Sequence, residues 1–401
     1  VPVDSITYQA DPYLGSGSQA DTSKWYCVYN GTDTITVITG LSPETTYKVA
    51  VYEYDGADYY ERYLTIPAVD NPISFTTRKS QSIAFTPIPD HTYGDPKFAL
   101  EATASSGLTV QFASSNPSVA VVSGDSIRII GAGITTITAS QAGDPTFAAA
   151  TDVSYSLKVG KAILTITAEN KTRLYGENNP PLTLIYSGFK YSDTKAVVTD
   201  PAVSCVADST SNAGSYAISL SGGDAANYML NLIGGNLFVQ KRDLTAKADN
   251  KSRNYGASNP GFTVSYSGFV NGDSAQSAIT TAPLLSTPAI VFSNVGDYDI
   301  NISGGSATNY NLIRVKGTLT INKINLHAKA DNKTRKYGYP NPLFTIQYTG
   351  FVNGDNKASI TEPTITCTAD LTSIVGKYPI TLSGGSAQNY TLTLENAELT
   401  I

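Results

Sequence analysis

Asn250-Lys251-Ser252-Arg253-Asn254-Tyr255-Gly256-Ala257-Ser258-Asn259-Pro260 reads as a strand end, a tight Tyr-Gly turn and an Asn-Pro step. The same pattern occurs twice more. Asn170-Lys171-Thr172-Arg173 leads through Tyr175-Gly176 to Asn179-Pro180, and Asn332-Lys333-Thr334-Arg335 leads through Tyr337-Gly338 to Asn341-Pro342. Each copy continues with Tyr-x-Gly-Phe (Tyr186 to Phe189, Tyr266 to Phe269, Tyr348 to Phe351) and a Gly-x-Tyr opening at Gly214, Gly296 or Gly376. Each closes with Ser-Gly-Gly and Asn-Tyr, from Ser221 to Tyr228, Ser303 to Tyr310 and Ser383 to Tyr390. The copies open at Lys161, Lys241 and Lys323, steps of 80 and 82 residues. A fixed period this long implies an array of separate domains, because solenoid repeats are too short to own a core.

The composition agrees. Hydrophobic residues make up 41% of the 401-residue chain and charged residues only 15%, with Thr, Ser, Gly and Tyr filling the difference. That is the usage of short strands and frequent turns; a helical chain carries more Glu, Lys and Leu. No segment has a sustained 3.6-residue period. A net charge of −6 with a pI near 5.0 leaves no basic nucleic-acid footprint, and no apolar run approaches membrane-spanning length. Cys27, Cys205 and Cys367 fall one per module, so no module closes its own disulfide. Cys205 and Cys367 share a repeat position with Thr287, which predicts a packed strand site and not a reactive thiol. Val1-Pro2-Val3-Asp4 has neither a basic nor an apolar leader region, so the expectation is a removed signal or an internal piece of a longer protein.

Alternating stretches such as Leu164-Thr165-Ile166-Thr167-Ala168 and Tyr390-Thr391-Leu392-Thr393-Leu394 predict half-buried strands, punctuated by Gly, Pro, Asn and Asp every 8 to 12 residues. Gln240 passes straight into Lys241 and Asn322 into Lys323, with no flexible spacer. The expected architecture is therefore an all-β array of self-contained sandwiches, each burying its own interior, stacked as an elongated semi-rigid rod. The expected domains are 1–78, 79–160, 161–240, 241–322 and 323–401.

Residues 161–401 resemble MBG-type bacterial immunoglobulin-like repeats through their Tyr-Gly, Gly-Phe and Asn-Tyr landmarks. Residues 79–160 resemble a bacterial Ig-like domain through Ser114-Ser115-Asn116-Pro117-Ser118-Val119-Ala120 and Gly131-Ala132-Gly133. Residues 1–78 resemble the later part of a fibronectin type III domain through Leu41-Ser42-Pro43-Glu44-Thr45-Thr46-Tyr47. Its first strands are missing, which reads either as a cut inside the domain or as completion by a strand from another chain; the cost of an unpaired edge favours the cut. These resemblances imply a secreted or cell-surface bacterial protein with an adhesin-like setting and no cofactor.

No enzymatic constellation emerges. His91 and His327 occupy non-equivalent positions, without a nucleophile elbow or a zinc spacing. Asp193, Asp273 and Asp355 recur after Gly-Phe, and Asn271-Gly272-Asp273 and Asn353-Gly354-Asp355 read as turns, with calcium binding as the lesser alternative. The pairs Lys171/Arg173, Lys251/Arg253 and Lys333/Arg335 share a strand face. They read as a charged surface that discourages edge pairing, with contact to an acidic polysaccharide as the rival. The recurrent tyrosines are expected to pack their rings in the core while each hydroxyl bonds backbone at a corner. Trp25, Tyr52, Tyr54, Tyr59 and Tyr60, together with Tyr63, form a non-repeating aromatic group and the first candidate for a ligand patch. The function expected is non-enzymatic: a stalk or adhesion region that spaces other domains of the same surface protein. The alternatives are a module binding cell-surface glycans and a filament subunit joined to neighbouring chains.

Overall fold

The computed structural model describes residues 1–401 apart from 1, 4, 5, 21, 23, 57–60 and 66–68. The chain is nearly all-β, with a short α-helix at Ala275–Ala278, and consistent with tandem sandwiches. It divides into two compact units, one of Val1–Ile166, Tyr186–Ala202 and Gly222–Leu232, the other of Thr167–Ile185, Val203–Ser221 and Ile233–Ile401.

In the first unit, Thr46–Val49 pairs antiparallel with Ile73–Thr76, as the alternation after Leu41 predicts. Further along, a four-stranded sheet runs in the order His91–Thr92, Val153–Gly160, Gly133–Ser140, Gln111–Ser114. A three-stranded sheet carries Ala120–Ser123, Ser126–Ile129 and Phe98–Ala99. Ile137, Leu157 and Ile127 are wholly buried. Their neighbours Thr136, Ser156 and Arg128 face outward or lie half-buried, the two-residue period of strands covered on one face.

The second unit holds the 241–322 and 323–401 repeats complete. The main strands of the 241–322 repeat are β1 (Arg242–Ala248), β2 (Lys251–Asn254), β3 (Val264–Ser267), β4 (Leu284–Ser286), β5 (Gly296–Ser303), β6 (Tyr310–Val315) and β7 (Gly317–Asn322). One sheet has the order β3-β1-β6, the other β2-β7-β5-β4. β1 is parallel to β6, with Arg242 opposite Tyr310, and β2 is parallel to β7, with Lys251 opposite Leu319. The remaining pairings within these two sheets are antiparallel. Ala248 from β1 meets Ile300 of β5 and Leu319 and Ile321 of β7 in one buried cluster, so the two sheets share a core. The 323–401 repeat copies this order, and Ala328 and Ala330 meet Ile380 and Leu399 in its core.

Two expectations need correcting. The apolar interiors are not closed off at repeat boundaries. Leu319 and Ile321 share a cluster with Leu326 and Tyr390 of the next copy, and Leu237 and Val239 share one with Leu244 and Tyr310. With no residues to spare between one copy's last strand and the next copy's first, both strands contribute side chains to one continuous core. The basic pairs are not a surface stripe either. Arg173 and Arg253 are buried, at 5% and 6% exposure, and Arg335 is half-buried. The shared face of Lys and Arg is the inward one. Cys205 and Cys367 are free and pack beside the cores, as a site interchangeable with Thr287 implies.

Candidate functional site

The Tyr-Gly turn, the aspartate after Gly-Phe and the Asn-Tyr pair come together from different repeats. β2 ends at Asn254, and Tyr255 and Gly256, the latter at φ +79°, form the turn that follows. After β3, Val270-Asn271-Gly272-Asp273 forms a turn in which the Asp273 amide donates to the Val270 carbonyl, with Asn271 and Gly272 at φ +56° and +75°. Turn chemistry is thus present at Asp273, but the carboxylate has a second role. Its Oδ2 accepts a hydrogen bond from Tyr310 Oη at 2.7 Å within the repeat and another from Tyr175 Oη of the preceding repeat at 3.1 Å.

Asp355 Oδ2 repeats the arrangement, accepting from Tyr390 at 2.6 Å and from Tyr255 at 3.0 Å. In the first unit, Asp193 accepts from Tyr228 at 2.6 Å and from Tyr93 at 2.9 Å. The paired rings meet edge to face with centroids 5.5 Å apart for Tyr93–Tyr228 and Tyr175–Tyr310, and 5.6 Å apart for Tyr255–Tyr390. That geometry sets the positive edge of one ring against the negative face of the other. The tyrosine expectation holds in part: Tyr228, Tyr310 and Tyr390 also accept backbone N–H bonds from Lys190, Val270 and Val352.

An asparagine flanks each site. Asn309 accepts from the Ala213 amide and donates to Asn212 Oδ1, both at 2.9 Å, and Asn389 does the same with Val295 and Asn294. Asn227 accepts from the Ala132 amide at 2.9 Å. An arginine in each repeat ties the Tyr-Gly turn to other segments of the same repeat. Arg253 donates through Nε to Asn259 Oδ1 at 2.8 Å and through its two terminal nitrogens to the carbonyls of Asn254 (3.2 Å) and Ile290 (2.6 Å). Asn259 in turn donates to the Ala289 carbonyl, so strand β2, the Asn-Pro step and the loop after β4 are joined through one guanidinium. Arg173 and Arg335 make the same set. The lysine that opens each copy is held in place as well, since Lys161, Lys241 and Lys323 donate to the carbonyls of Ala225, Ala307 and Ala387.

Burial, with the carboxylate hydrogen bond adding to it, pushes the hydroxyls of Tyr228, Tyr310 and Tyr390 up to about 12, and Tyr93 likewise. These groups hold their protons more tightly folded than unfolded, where the value is near 10, so their stabilisation is complete below about pH 10 and is lost as pH rises through about 12. Alkaline melts should show the melting temperature falling over that window, in step with phenolate absorbance. A melting temperature indifferent to pH there would contradict the assignment.

A Cβ on Gly256 would lie 2.5 Å from Val352 Cγ2, whereas one on Gly338, at nearly the same φ, meets nothing within 4 Å. Gly338→Ala should therefore cost only the left-handed backbone penalty of about 1–2 kcal/mol. Gly256→Ala should cost roughly 1–3 kcal/mol more, because it also overpacks the junction. Equal losses in chemical denaturation would show that Val352 does not fill this space.

Among the described residues no group of three or more His, Cys, Asp or Glu is arranged to hold an ion. His91 pairs with Asp95 and stacks on Phe98, while His327 pairs with Glu395. Of the aromatic patch, Trp25 and Tyr52 are half-buried, Tyr54 is exposed and packs on Tyr63 at 5.4 Å, and Tyr59 and Tyr60 lie outside the described residues. Among the described residues no ring contact joins Trp25 to Tyr52 or Tyr54. No helix of the described residues is long and apolar enough to cross a membrane.

A family model described as MBG domain (YGX type) matches residues 164–238, 244–320 and 326–400. No curated protein matches the chain. Among solved structures, Drosophila N-cadherin EC1-4 aligns over 79% of this chain and 98% of its own, at 9% identity and a TM-score of 0.21. The N-terminal four Ig domains of Dscam1 isoform 6.9 align over 80% and 99%, at 13% identity and a TM-score of 0.18. The Bacteroides ovatus mixed-linkage glucan utilization locus SGBP-B, in complex with mixed-linkage heptasaccharide, aligns over 60% and 70%, at 12% identity and a TM-score of 0.15. At these scores the likeness carries no argument about function.

Proposed function

The chain belongs to the MBG domain family of the YGX type, and on that premise we propose that it is a non-enzymatic structural region of a secreted or cell-surface bacterial protein, spacing or presenting other domains of the same protein and supporting adhesion. One observation carries the reading. The recurrent residues that carry chemistry elsewhere in proteins, a half-buried carboxylate and the two tyrosines that bond it, are here spent on joining one repeat to the next. The reading treats 1–78, 79–160, 161–240, 241–322 and 323–401 as successive modules.

Pulling single molecules from both ends tests it. Separate unfolding steps are expected, each releasing roughly 250–300 Å of chain for an 82-residue repeat at 3.3–3.6 Å per residue. A single all-or-none rupture would overturn the modular reading. A second reading, glycan binding by the first segment, is favoured by exposed Tyr54 packed on Tyr63. Saturable binding on a glycan array, lost with Trp25→Ala or Tyr54→Ala, would establish it in place of the first.

A further inference from the structure

Tyr93, Tyr175 and Tyr255 are 5%, 4% and 5% exposed, but their counterpart Tyr337 is 59% exposed. The framework around it is nonetheless in place. Arg335 makes the full set of bonds seen at Arg173 and Arg253, at 2.7 Å to Asn341 Oδ1, 2.6 Å to the Asp370 carbonyl and 3.2 Å to the Lys336 carbonyl. Gly338 has φ +80°, against +84° and +79° at Gly176 and Gly256. What differs is the far side: Val270 lies over Gly176 and Val352 over Gly256, but nothing lies over Gly338. Leu371, Ile374 and Val375, in the loop after the Asp370 carbonyl that Arg335 holds, are 56–73% exposed, so three apolar side chains face solvent beside this turn.

From this we propose that the Tyr337 face is a preformed docking surface for one further YGX-type repeat, seated as at the other junctions. The occupant is defined by its chemistry. It presents an aspartate on a Gly-Phe-x-x-x-Asp corner to take the Tyr337 hydroxyl, the Asn-Tyr tyrosine to complete that carboxylate, and the Asn-Tyr asparagine to accept from the Val375 amide. Val375 stands where Ala213 and Val295 donate to Asn309 and Asn389. Ile374 replaces the asparagines at 212 and 294, which removes one amide–amide bond. That bond is dispensable, because Gly131 holds the position in the first unit and Asn227 still accepts from Ala132 there. The inference rests on junction geometry and stands whether or not the spacer reading does.

The test extends the 401-residue chain after Ile401 with a copy of residues 240–322, so that Gln240 resumes the register in which it accepts from the Tyr175 amide. Tyrosine nitration mapped by mass spectrometry reads the face. Tyr337 should react in the 401-residue chain and be protected roughly ten-fold in the extended one, following the fall from 59% exposure to the 4–5% of its counterparts. Tyr175 should stay unreactive in both. Asp273→Ala in the added copy should restore Tyr337 reactivity, and Asp273→Asn should restore less of it. Unchanged reactivity of Tyr337 beside a folded added copy overturns the proposal. An added copy that stays unfolded by hydrogen exchange counts against it too, since the same residues fold beside Tyr175 in their original place.

Discussion

Asp273→Ala should destabilise the chain by roughly 1–4 kcal/mol, because it leaves the buried Tyr175 hydroxyl without an acceptor and Tyr310 with only a 3.4 Å bond to the Val270 carbonyl, at about 1–3 kcal/mol for each buried group left unsatisfied. Tyr175 and Tyr310 are 4% and 2% exposed, so neither can turn to water. Asp273→Asn keeps an oxygen in place but removes the charge, and charge-assisted bonds are about twice as strong as neutral ones, so about half of the loss is expected. The diagnostic result is a coupling. Tyr175→Phe in the natural chain should cost about 0.5–1.5 kcal/mol, yet be neutral or favourable once Asp273 is alanine, since it then removes a stranded hydroxyl. Urea unfolding of the four-variant cycle measures it. Strictly additive losses would mean that the 3.1 Å contact contributes nothing to stability.

Arg253→Met should cost roughly 1–3 kcal/mol, because the half-buried Asn259 side-chain oxygen loses its donor and the carbonyls of Asn254 and Ile290 keep only their turn amides, from Ala257 and Ser293. Lysine should not rescue it; a single ammonium cannot reproduce a planar fork directed at three acceptors. Arg335→Met offers an internal comparison. The same three bonds are lost, but around a half-buried side chain beside exposed Tyr337, where water can replace them. Its penalty should be clearly smaller by thermal or urea unfolding. Equal penalties at 253 and 335 would refute burial as the cause.

Much of the fold is legible from the residues. The alternation in 164–168 and 390–394 gives strands, the Asn-Gly turns give left-handed backbone, and the period gives the copies. The junctions are harder to see, because sequence proximity hides them: Asp273 sits in a competent turn, and its hydrogen-bond partner is 98 residues away. A signal does exist. The first copy has Tyr191-Ser192 where the others have Asn-Gly, yet Asp193 is kept. A turn alone would not require the acid when the rest of the turn has changed. Arg173 and Arg253 are misread for a different reason. Placing Lys and Arg on one strand face is correct, but a charge pattern does not reveal that three backbone and amide oxygens wait on the buried side.

The long reach of each tyrosine has a consequence for biosynthesis. A nascent chain leaving the ribosome carries Tyr175 without its acceptor until 98 further residues have been translated, about 5–20 s at ordinary elongation rates. Tyr255 waits 100 residues for Asp355. The copies that open at Lys161 and Lys241 are therefore each finished by the copy that follows, and the order of translation becomes the order in which these seams close.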